Sequence, residues 1–155
     1  MKISARILRR TRACVSQVNE FVNVFGEASI TVTEELCVSY APVFDWDWAA
    51  KNLLPSRLYA DYADKFISFE AEYKAKRAPL YANYAAKCAA LAALRAEDVA
   101  KFVSFDAEYA AERDEIYAEY AAERDEIYDD LAAARAALFG RLAERTYAIR
   151  KGSLT

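Results

Sequence analysis

Two adjacent stretches of this chain are identical: Ala107–Tyr117 and Ala118–Tyr128 both read AEYAAERDEIY. Asp129–Phe139 (DDLAAARAALF) continues the pattern with changed letters. Eleven residues make three helical turns of about 3.67 residues each, so every unit returns to nearly the same face of a helix. The repeat therefore predicts a long helix carrying one recurring stripe. Breakers are scarce as well. The 155 residues include three Gly and three Pro, against average usage of about 7% and 5%. An all-β or Rossmann-like chain needs more tight turns than that.

A longer duplication lies over the first. Lys65–Tyr73 (KFISFEAEY) returns as Lys101–Tyr109 (KFVSFDAEY), and fourteen of the twenty-seven positions from Lys65 to Leu91 match their partners 36 residues on. No Gly or Pro occurs between Leu80 and Phe139, and a straight helix over that length would run about 90 Å. Two architectures fit. The duplicated halves fold back as an antiparallel hairpin with its turn near Arg95–Asp98, Asp98 capping the second helix. Otherwise the chain runs on as a rod that buries its stripe against another copy. The hairpin is favoured, because a bare apolar stripe on a monomer invites aggregation. Pro79 is expected to kink or interrupt its helix.

Residues 1–55 differ in composition from 56–155, and Pro55-Ser56 marks the seam, with Ser56 as an N-cap. The first part reads as short helices. Val15, Val18, Phe21, Val22 and Phe25 have helical spacing and Gly26 stops them. Ser29–Val32 is extended. Thr33 caps a helix that begins Glu34-Glu35, and Asp45 or Asp47 starts another over Trp46–Leu54. Trp46, Trp48, Leu53 and Leu54 close a small core over Phe21, Phe25 and Leu36. So small a core is marginal alone and is expected to dock on the long helices. The fold class is all-α: a small helical module followed by long amphipathic helices.

The chemistry is defined by what is missing. There is no histidine, which removes the commonest general base and metal ligand. Cys14, Cys37 and Cys88 are widely spaced and read as buried free thiols of a reducing cytosol. No glycine-rich phosphate loop, nucleophile elbow or metal-ligand motif is present. The expectation is no enzyme, no cofactor and no metal. No apolar run approaches the roughly 18 residues of a membrane span, so the chain is placed in a bacterial cytoplasm, away from the membrane.

Charge is unevenly spread. Glu97–Asp130 holds thirteen acids against three bases, a local charge of −10 that leaves +7 elsewhere. Along the long helices Tyr-x3-Arg-x3-Tyr recurs as Tyr73-Arg77-Tyr81, Tyr109-Arg113-Tyr117 and Tyr120-Arg124-Tyr128. On a helical wheel Tyr109, Ile116, Tyr117 and Tyr120 share one arc with Arg113 in its middle, which lets each guanidinium lie over a ring four residues away. This stripe is either a helix–helix seam or a recognition face, Tyr and Arg being favoured interface anchors. The candidate interaction residues are Tyr109, Arg113, Tyr117, Tyr120, Arg124 and Tyr128, with the acidic ladder Glu112, Glu115, Glu119 and Glu123. Arg6, Arg9, Arg10 and Arg12 form a separate basic cluster that either contacts nucleic acid or pairs with acids of the same chain.

Residues 2–54 resemble a module of uncharacterised small phage and bacterial proteins. The letters that carry the likeness are Lys2-Ile3, Ala13-Cys14, Gln17, Phe21, Phe25-Gly26, Val32-Thr33, Leu36-Cys37, Asp45-Trp46-Asp47-Trp48-Ala49-Ala50 and Leu53-Leu54. The Tyr/Ala repeats behind it resemble tails of those proteins. The glycine usual before the Ala-Cys pair is Arg12 here. The resemblance implies a phage or mobile-element setting and brings no activity with it. The reading that follows is an interaction protein acting on a host or phage protein complex through its acidic, Tyr/Arg-striped helices. The alternatives are a self-assembling coiled-coil oligomer and nucleic-acid binding by the basic N-terminus.

Overall fold

Ser4 turns the chain into its first helix: its side chain accepts a hydrogen bond from the Ile7 N–H. The computed structural model describes residues 1–100 and 106–151, with side chains at 1–96 and 108–151. The elements, in order, are β1 (Lys2–Ile3), α1 (Ala5–Arg10), α2 (Val15–Phe25), β2 (Ile30–Thr31), α3 (Glu34–Ser39), α4 (Trp46–Leu53), α5 (Ser56–Ala100) and α6 (Asp106–Arg150). The fold is all-α, and α5 and α6 pack together as a helical hairpin.

The local signals that mark the short helices act as their residue types require. Gly26 ends α2 with φ 70°, a conformation glycine adopts without strain. Thr33 caps α3 by accepting from the Leu36 N–H, and Asp45 caps α4 by accepting from the Trp48 N–H. Ile30–Thr31 pairs antiparallel with Lys2–Ile3, so the extended link is half of a two-stranded ribbon. Arg12 sits at φ 62° beyond α1, in a region of backbone that favours glycine. The chain there needs the left-handed region, and the Ala13 N–H reaches back to the Leu8 carbonyl.

Three expectations for the long helices change. The turn does not fall at Arg95–Asp98, and Asp98 is no N-cap: α5 continues through Ala100, because the alanine-rich sequence offers nothing to stop it. The duplicated residues Lys101–Phe105 lie outside the described residues. Pro79 does not interrupt α5, which runs unbroken on both sides of it, and the ring leaves the Ala75 carbonyl without its N–H partner. At the start of α5 the Tyr59 N–H donates to the Pro55 carbonyl, so Pro55 and not Ser56 takes the cap position.

The compact units do not follow the composition seam at 55. One unit is Met1–Phe69 with Asp129–Thr155, and the other is Glu70–Tyr128. In the first, Leu58, Tyr62, Leu138, Phe139 and Leu142 join Phe21, Val32, Cys37 and Leu54 in one core, so the helices supply the apolar surface that the short module lacks. Phe139 is fully buried, its ring 5.5 Å from Trp46. Gly140, inside α6, allows the closest approach of backbones. A Cβ built there would lie 2.5 Å from the Glu34 Cα and 3.0 Å from the Thr33 carbonyl oxygen. Polar contacts surround that approach. Glu144 accepts from the Glu34 N–H at 3.1 Å, and Arg141 donates to the Glu34 carboxylate at 2.6 Å. On α4, Asp47 accepts from the Tyr62 hydroxyl at 2.6 Å and pairs with Arg135 at 3.4 Å. Arg135 in turn stacks over Phe66 at 4.6 Å.

Candidate interaction surface

Glu70–Tyr128 is a two-helix hairpin, and its contacts run antiparallel. Tyr73 meets Tyr128 at 5.2 Å, Tyr84 meets Tyr120 at 4.5 Å, and Arg95 covers the Tyr109 ring at 4.6 Å. Tyr84 and Tyr120 occupy equivalent positions in the 36-residue duplication, so their contact marks a local two-fold relation between the two helices. Among the described residues of Glu70–Tyr128, the buried ones on α5 are Tyr73, Leu80 and Leu91. Their duplicates on α6, Tyr109, Ile116 and Ile127, are half-buried. That row is the seam.

The arc read from the sequence as one stripe divides in two. Tyr109 and Tyr120 belong to the seam, while Arg113, Tyr117 and Tyr128 are exposed and Arg124 is half-buried. Arg113 is not in the middle of a buried arc. It lies at its edge and donates to its neighbour Asp114 at 2.9 Å, as Arg124 does to Asp125 at 2.7 Å. An adjacent carboxylate offers a charge-assisted bond stronger than a ring face. Arg124 still keeps its guanidinium 5.9 Å from the Tyr120 ring centroid.

Helical spacing then sorts the remaining side chains onto two opposite faces, and the contacts agree. On one face α5 contributes Lys74, Arg77 and Tyr81 and α6 contributes Arg113, Tyr117, Arg124 and Tyr128. The Tyr128 and Tyr73 hydroxyls raise the Arg77 pKa further, which places that guanidinium among them. Burial, then the Tyr128 hydroxyl, raises the Tyr73 pKa. Three tyrosines are largely exposed here: Tyr81 at 59%, Tyr117 at 52% and Tyr128 at 44%. Beside Pro79, Lys74, Arg77, Ala78 and Tyr81 line an open groove of about 440 Å³.

The other face belongs to the glutamates. Glu112, Glu115, Glu119 and Glu123 are all exposed, and Lys87 of α5 forms its ion pair with Glu119. That bond, followed by the fields of Glu123 and Glu115, raises the Lys87 pKa. The duplication explains the asymmetry between helices. Lys76 and Lys87 are the counterparts of Glu112 and Glu123, so the halves have opposite charge on this face and the same Tyr/Arg pattern on the other. A helical wheel of α6 alone already sets the acids opposite the Tyr/Arg arc. Laying the halves over each other at the 36-residue offset adds the charge reversal between them.

The basic cluster is partly committed. Arg9 makes a bidentate pair with Glu27 at 2.7 and 3.0 Å, while Arg6, Arg10 and Arg12 are exposed. Of the three cysteines only Cys37 is buried; Cys88 is intermediate and Cys14 is exposed, so the expectation of three buried thiols fails. Cys14 stands at the N-terminus of α2 with its sulfur 3.2 Å from the Ser16 hydroxyl, outside the core.

The first unit encloses an interior cavity of about 60 Å³ with Phe21, Phe25, Phe44, Trp46 and Trp48 in its wall. Gln17, the polar side chain beside it, is already occupied, donating to the Val43 carbonyl and accepting from the Asp45 N–H. The wall is mostly aliphatic and aromatic, and Asp45, also in it, caps α4 through the Trp48 N–H. Among the described residues, no helix is long and apolar enough to cross a membrane. Comparison with protein-family models, with curated proteins and with solved structures finds no match.

Proposed function

We propose that this chain is a non-enzymatic interaction protein that works through the hairpin of Glu70–Tyr128. The observation that supports the reading is the set of three exposed tyrosines, at 81, 117 and 128, gathered with cationic side chains on a single face. Tyr and Arg carry large contact area and are among the anchors that protein interfaces favour. A face held by two paired helices is also rigid, which suits recognition. The reading takes a host or phage protein complex as the target, in keeping with the phage setting that the resemblance of residues 2–54 implies, and a bacterial cytoplasm as the place.

Affinity purification of the tagged protein from expressing cells, followed by mass spectrometry, tests the reading against Tyr117→Ala/Tyr128→Ala. The variant is expected to lose the partner while keeping the helical circular dichroism of the parent, because Tyr117 and Tyr128 stand at the rim of the seam and not among its buried residues. A partner retained at full yield by the variant removes the tyrosine face from the mechanism.

A further inference from the structure

The two faces of the hairpin come from one repeat, and that gives them a property no unrelated occupant shares: a common period. Arg113 and Arg124, like Tyr117 and Tyr128, stand eleven residues apart on one face. Glu112 and Glu123, like Glu115 and Glu126, stand eleven residues apart on the other. Each interval is about 16.5 Å along a helix.

We infer that the Tyr/Arg face of one hairpin seats the glutamate face of a second copy of this chain. The inference rests on the interaction reading above and names its partner. Charge complementarity carries it. The receiving face presents Lys74 and Arg77 in an open groove of about 440 Å³, and the entering face presents a row of exposed carboxylates with the same repeat distance. When one pair of charges is in register, the next pair is too. The ion pair of Arg113 with Asp114 is solvent-exposed, and that of Arg124 with Asp125 has its carboxylate exposed and its arginine half-buried. Such pairs contribute little, so those guanidinia can share a second carboxylate.

The hairpin also has the surface to spare. Among its described residues only Tyr73, Leu80 and Leu91 are buried, a single row, and two helices joined along one row leave both broad faces in water. A contact between unlike faces is heterologous, and repetition of it stacks copies into an open assembly unless the rotation closes a ring.

The experiment uses the full chain and light scattering over a range of concentration and salt. Particle mass should rise with protein concentration and fall as salt screens the faces. Lys74→Glu/Arg113→Glu/Arg124→Glu makes both faces acidic. Glu112→Lys/Glu115→Lys/Glu126→Lys makes both faces basic. Each variant alone should need at least about tenfold more protein to assemble, a change in affinity of that size following from a few reversed pairs. Mixed one to one, the two variants should recover the large species, which misfolded proteins would not do.

A monomer mass at every concentration overturns the inference and leaves the interaction reading to its own capture experiment. So does failure of the mixture to recover. Binding of a single-stranded oligothymidylate that Arg113→Glu/Arg124→Glu abolishes, with the mass still monomeric, assigns the face to nucleic acid and overturns it as well.

Discussion

The two compact units are built partly from the same two helices, yet they use them differently. In the first unit, stretches of α5 and α6 are covered by short elements, and side chains such as Phe139, Ala136 and Ala143 lose all contact with water. Among the described residues of Glu70–Tyr128, burial is confined to one row. The difference shows how the same alanine-rich helix becomes core or surface according to what lies beside it. Stability should therefore concentrate in the first unit and recognition in the second.

The sharpest way to break that contrast is Phe139→Ala. Truncating a fully buried ring is expected to remove about 3–5 kcal/mol, measured by urea unfolding followed by circular dichroism. A loss under 1 kcal/mol would show that the first unit is no better packed than the second. Gly140→Ala comes next. Alanine gains about 1 kcal/mol of helix propensity over glycine, but its Cβ would stand 2.5 Å from the Glu34 backbone. Neither backbone can move away cheaply, so a net loss of about 2–3 kcal/mol is expected. A stabilised variant would mean that α3 does not press on α6.

In the second unit the sign reverses. Pro79 is exposed within α5, and Pro79→Ala returns a hydrogen bond to the helix. That should stabilise the hairpin by about 1–3 kcal/mol, seen as slower amide exchange on both sides of residue 79. A destabilised variant would show that the interior ring does more for the helix than a methyl group can.

The remaining test concerns pH. Burial, and then the carboxylates of Glu144 and Glu34, push the Cys37 thiol up to about 12 from its ordinary 9.0. The folded state keeps its proton while the unfolded chain loses it. Stability should thus be level below pH 9 and decline between about 9 and 12, by up to about 1.4 kcal/mol per pH unit. Cys37→Ala should flatten that slope. An unchanged slope would place the thiol in water.

Much of the fold was legible because local rules decided it. Gly26, Thr33 and Asp45 each mark a helix boundary through a chemical preference that acts over three or four residues, and the eleven-residue period leaves a helix no other choice. What escaped depended on distant partners. Gly140 reads as a flaw in a helix until α3 is placed against it. The pairing of Lys2–Ile3 with Ile30–Thr31 needs two short segments some thirty residues apart to meet. A single wheel separates the acids from the Tyr/Arg arc, but that Lys87 of α5 joins the glutamate side depends on how α5 meets α6. The turn was misplaced for the opposite reason: Arg95–Asp98 showed a charge change and no breaker, and helix propensity prevailed through Ala100.

The contact between Tyr84 and Tyr120 has a consequence for how such a chain can change length. Because duplicated halves run in opposite directions about that point, α5 and α6 act as two rulers read from opposite ends. Deleting Ala118–Tyr128 alone would shorten one ruler by about 16.5 Å and leave its neighbour overhanging by the same amount. Length can change without waste only by matched steps on both helices, so the repeat number of one sets that of the other.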